Sequence, residues 1–97
     1  MKQIANKNAR RYVQNLELFK GSNLFSETLG DYYVVYSYGH HYPMLVHNKK
    51  TDQWYRNKDR YSVTTSKQIG QCTPYNVDLM ELPTRELKDI IDAAERC

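Results

Sequence analysis

The chain has 97 residues, 40% of them hydrophobic, with a formal net charge of +3. That length supports one hydrophobic core and excludes two, and a domain of this size buries roughly 60–65% of its unfolded surface. The hydrophobic content excludes a disordered chain, and without an apolar run of membrane-spanning length or an N-terminal apolar leader the expectation is a soluble cytoplasmic protein with no membrane partner. The charge is unevenly spread. Residues 1–20 carry five lysines and arginines against Glu17, whereas residues 71–97 are acidic in balance. Cys72 and Cys97 are too few for a disulfide framework and are expected as free thiols in a reducing compartment.

Residues 3–14 read as a helix, because Ala5, Ala9, Tyr12, Val13 and Leu16 recur at three and four residues. It either runs on to Phe19 with Gly21 as its cap, or ends early so that Leu16–Leu18 starts a strand turning at Gly21–Asn23 into Leu24–Glu27. The hairpin is the preferred reading. Tyr32–Tyr38 is the clearest strand, a β-branched and aromatic run between Gly30 and Gly39. Pro43–His47 is the next strand, and Gln53–Arg56 follows after the polar turn Asn48–Asp52. Connections this short make antiparallel pairs. Thr65-Ser66-Lys67-Gln68 matches a capping box, so a short helix is expected from Thr65 until Pro74. Val77–Leu82 can add an edge strand. Leu87, Ile90, Ile91 and Ala94 mark a C-terminal amphipathic helix with Thr84 as its N-cap. The expected fold is therefore a single α+β domain over residues 1–97. It is an antiparallel three- to five-stranded meander sheet, with an N-terminal, a short central and a C-terminal helix packed on one face.

Motifs for chemistry are sparse. His40, His41 and His47 lack zinc-site spacing, and adjacent histidines on extended chain point to opposite sides, so no metal or cofactor is expected. Ser62, Thr64, Thr65 and Ser66 beside Lys67 are accounted for by turn closure and helix capping. No phosphate cradle, carboxylate pair or nucleophile elbow is present, and the expectation is a non-enzyme. The nine tyrosines are more informative. Tyr36, Tyr38, Tyr42, Trp54, Tyr55 and Tyr61 lie among Arg56, Lys58, Arg60 and Lys67, and His41 is a further candidate for binding. This mixture fits a single-stranded nucleic-acid platform, a protein hot spot, or an ordinary half-exposed sheet equally well.

The runs Tyr33-Val34-Val35-Tyr36-Ser37-Tyr38-Gly39, His41-Tyr42-Pro43-Met44 and Trp54–Lys67 resemble, in order and spacing, a small uncharacterised domain of bacteriophage and prophage genomes. The match covers about the middle two-fifths of the chain, with Phe19–Phe25 adjoining it. In that family a histidine follows the Thr-Thr-Ser-Lys run; Gln68 stands there in this chain, so a role for that histidine does not carry over. The resemblance implies a virally encoded accessory protein in a bacterial cytoplasm. By analogy with small proteins of that kind, it implies binding and inhibition of a host protein or ribonucleoprotein complex. The alternative is direct nucleic-acid binding through the tyrosine-rich sheet and the basic stretch Arg56–Lys67.

Overall fold

A computed structural model describes residues 2–4, 8–21, 24–37, 42–59, 73–74, 77 and 79–95. In chain order the elements are β1 (Lys2–Gln3), α1 (Ala9–Gln14), β2 (Phe19–Lys20), β3 (Leu24–Leu29), β4 (Tyr32–Ser37), β5 (Tyr42–Asn48), β6 (Gln53–Asn57), β7 (Leu79–Leu82) and α2 (Thr84–Glu95). The seven strands among the described residues join one sheet in sequence order. The α+β class and the central meander are as expected, since β2 to β6 pair antiparallel.

The strand count and the purely antiparallel sheet are corrected. β1 pairs parallel with β2 and β7 parallel with β6, which makes the sheet mixed. Parallel neighbours need a crossover of a dozen or more residues. The connections over residues 4–18 and 58–78 supply that length at each edge of the sheet, and the first contains α1. The argument from short connections holds only for the middle of the chain.

The two described helices also lie on opposite faces rather than one. Ala9 and Val13 of α1 pack with Phe19, Leu24, Tyr33, Val35, Met44, Leu45 and Trp54. Leu87 and Ile91 of α2 pack with Val34, Tyr36 and Val46 on the other side. The central strands are therefore buried on both faces, from Tyr33 to Ser37 and from Tyr42 to His47. Their near-continuous apolar runs are what a doubly covered strand needs, because neither face can afford polar alternation. The register shifts between Val35 and Tyr36, where Leu45 opposes Val35 and Pro43 opposes Tyr36. Met44 is the extra residue of this bulge, so Met44 and Leu45 share one core although adjacent. The irregularity also accommodates Pro43, which lacks a ladder donor, on an interior strand.

Local boundaries move for identifiable reasons. α1 starts at Ala9 rather than at residue 3, and Gln3, inside the expected helix, is strand together with Lys2. The helix closes with Glu17 N–H donating to Tyr12 C=O at 2.8 Å and Leu16 N–H to Val13 C=O at 3.0 Å. This is a Schellman closure with Leu16, at φ 56°, in the left-handed position that glycine usually fills. Tyr33 Oη donates to Glu17 C=O at 2.7 Å and ties the helix exit to β4. The hairpin of β2 and β3 forms, but it begins at Phe19. The helix expected from Thr65, and both cysteines, lie outside the described residues.

Candidate functional site

The residues singled out in the sequence divide between the two faces of β6 and the chain that follows it. Trp54 is 4% exposed and packs in the α1-side core, its ring 4.5 Å from His47. Tyr55 points to the other face and is half-buried against the α2-side cluster. Trp54 is therefore an anchor, and the two aromatics do not form one platform. Tyr33, Tyr36 and Tyr42 are buried as well. Tyr38, His41, Arg60, Tyr61 and Lys67 lie outside the described residues.

Arg56 has a structural partner that the sequence did not reveal. Its Nε and Nη2 donate to Glu81 Oε1 at 3.1 and 2.5 Å. The pair joins β6 to β7 at the register position where Arg56 opposes Glu81. The charge of Arg56 is thus answered within the fold, while Lys58, exposed just past the strand, contributes its backbone N–H to Leu82 C=O at 2.9 Å.

The chain leaves β6 through a polar knot. Asn57 is fully buried, and its Nδ2 donates to Pro43 C=O and to Thr84 Oγ1, both at 2.8 Å. Its Oδ1 accepts from Asp59 N–H at 2.8 Å. Asp59 Oδ2 in turn accepts from Thr84 N–H at 2.9 Å, and its carbonyl accepts from the Tyr42 hydroxyl. A carboxylate at the first turn of a helix satisfies an otherwise orphaned donor and complements the positive end of the helix. The backbone and side-chain hydrogen bonds from Thr84 hold the Asp59 carboxyl below its ordinary range.

This arrangement corrects the role expected of Thr84. The carbonyl of Pro83 accepts from Leu87 N–H at 3.1 Å, so Thr84 is the first helical residue and not the N-cap. Capping comes from Asp59 instead, twenty-five residues earlier in the chain. Local spacing rules find a capping residue only among sequence neighbours.

His47 is the one described histidine. Nε2 lies 2.8 Å from Asp52 Oδ1, and Asp52 takes a left-handed φ of 57° in the turn between β5 and β6. Its Nδ1 is buried with no hydrogen-bond partner among the described residues. A histidine used for proton transfer directs its second nitrogen toward substrate. Here the solvent side is occupied by Asp52 and the second nitrogen turns inward, so the pair holds the turn.

Among the described residues no three His, Cys, Asp or Glu side chains converge to hold a metal ion, and no helix is long and apolar enough to cross a membrane. Compared with known protein families, curated proteins and solved structures, the chain has no significant match.

Proposed function

We propose that this chain is a non-enzymatic, phage-type accessory protein that binds a host macromolecular complex and blocks it, with the β6–β7 connection as its recognition segment. The observation that carries this reading is the anchorage of the segment at Asp59. The amide, carbonyl and carboxylate of Asp59 are each tied, to Asn57, Tyr42 and Thr84. Residues 60–78 therefore depart from a fixed point on the sheet and the helix. Connections positioned by a rigid scaffold carry a disproportionate share of binding residues. Lys58, Arg60 and Lys67 give the segment a basic character that suits an acidic protein surface or exposed phosphates. A protein target is favoured over a stacked single strand, because Tyr33, Tyr36, Tyr42 and Trp54 have their rings inside the fold.

The test is capture of partners by the tagged chain from a bacterial lysate, with and without nuclease. A stoichiometric protein that survives nuclease is expected, and the double variant Lys58→Glu/Arg60→Glu should lose it. Lys58 is exposed, and an exposed charge away from special contacts shifts stability by no more than about 0.5 kcal/mol, so the melting temperature of Lys58→Glu alone should hold. Arg56→Glu behaves differently: it sets two carboxylates against each other across β6 and β7, and it should lower the melting temperature. Undiminished capture by the double variant would remove the segment from the interface. Nucleic acid released by high salt, in place of a protein, would favour the direct nucleic-acid reading.

A further inference from the structure

The β6–β7 connection comes back to the fold on the face of α1. Arg10, half-buried on α1, donates from Nε to the carbonyl of Thr73 at 2.7 Å, across 63 positions of the chain. A hydrogen bond from an ionised donor is shorter and stronger than one between neutral groups. Just after it Pro74 is buried, and Val77 and Leu79 pack against the core that holds Ala9 and Val13 of α1. The helix that presents Arg10 is itself fixed. Ala9 and Val13 are fully buried, and Tyr33 Oη holds the helix exit through Glu17 C=O. The outgoing end of the connection is held elsewhere, by β5, β6 and the start of α2 at Asp59. These two anchors share no residue.

We propose that Arg10 is a positioning residue for partner recognition, fixing the returning end of the β6–β7 connection on α1 as Asp59 fixes the outgoing end. This rests on the reading of that connection as the recognition segment. A segment fixed at one end leaves it in many directions, and ordering it on binding costs affinity. A second fixed end removes part of that cost before the partner arrives. An arginine serving only as surface charge keeps its head in water, whereas Arg10 engages a backbone carbonyl of the connection. Because the acceptor belongs to the main chain, the contact sets the path of the chain and not merely the rotamer of a neighbour. Arginine suits this task better than lysine, since its planar fork is preorganised and loses less entropy per hydrogen bond formed.

The experiment uses the full chain and the protein that the wild type captures from lysate, with Arg10→Gln, Arg10→Lys and Arg11→Gln. Backbone amide NMR relaxation reports order at Thr73 without any partner, and titration with the captured protein reports affinity. Arg10→Lys keeps the charge, but its ammonium lies one bond beyond the place of Nε. In both Arg10 variants the heteronuclear NOE at Thr73 should fall while those of β4 and α2 hold, and affinity should drop about three- to ten-fold. Arg11→Gln, at the exposed neighbouring position, should change neither. An unchanged NOE at Thr73 would overturn the positioning role, as would wild-type affinity in spite of a fallen NOE. Full rescue by Arg10→Lys, or an equal loss with Arg11→Gln, would make charge the cause and overturn it too. Should Arg10→Gln lose its native amide dispersion, Arg10→Lys decides. If the wild type captures no protein, the recognition reading fails and the role falls with it, although a fallen NOE at Thr73 would still register the clamp.

Discussion

Asp59 shows how one residue can join three elements. It lies just past β6, caps the start of α2 through Thr84, and accepts from Tyr42 at the start of β5. Because Thr84 holds its carboxyl below the ordinary value, the folded chain binds that proton less readily than the unfolded one. Stability from the contact is therefore present above the unfolded pKa and drains as pH falls through the lower, folded value. Asp59→Asn should lower the melting temperature at neutral pH and flatten its decline below about pH 4. Thermal melts across that range check it; an acid limb as steep as that of the wild type would detach Asp59 from the cap. Asn57 sits beneath this contact with each side-chain polar atom bonded, which is the condition for burying an amide without a large desolvation cost.

Among the elements, α2 follows its sequence pattern most closely, while the ranking of its apolar positions comes from the packing. Leu87, Ile90, Ile91 and Ala94 were expected inward, and Leu87, Ile91 and Ala94 are buried. Ile90 is only half-buried at the margin of the cluster. Leu87→Ala should thus cost about 2–5 kcal/mol in urea unfolding, and Ile90→Ala clearly less, because the cavity term scales with how enclosed the site is. Equal losses would mean that the helix is rotated about its axis. Gly30 marks a second place where an element constrains the sequence. It takes φ 59° in the two-residue turn of β3 and β4, and the Ala94 carbonyl stands 4.0 Å from where a Cβ would be. Leu16 accepts a comparable conformation without being glycine, and its side chain packs on the α1-side core. The left-handed backbone costs a leucine roughly 1–2 kcal/mol, and burial of its side chain offsets it.

At the scale of the molecule, the sheet separates two cores that share no residue. Val13 belongs to one and Leu87 to the other, with a strand layer between them. Val13→Ala and Leu87→Ala should therefore be additive within about 0.5 kcal/mol, as for distant sites without shared partners. A double-mutant cycle by urea unfolding measures this. A larger coupling would show that the two faces repack together through β4 and β5. The same layering bears on function, because a sheet covered on both sides leaves its binding to edges, connections and the outer faces of helices. The β6–β7 connection is a surface of that kind.

The α+β class, β3 through β6 and the helix after Thr84 were legible in the sequence, because hydrophobic periodicity and turn residues are local signals. Buried Val13, Val35, Leu45, Val46, Leu87 and Ile91 were legible for the same reason. The candidate site was legible only as composition. Aromatic and basic residues crowd together between residues 54 and 67, but alternation along β6 sends Trp54 and Tyr55 to opposite faces, and Arg56 meets Glu81. The parallel edges, the second covered face, the Asp59 cap and the contact of Arg10 with Thr73 join residues distant in the chain. Propensity and spacing act over a few residues, so they carry no information about which distant segments meet. Only the return of the chain along α1 brings Thr73 to Arg10, and only the crossover to β7 gives Arg56 its partner.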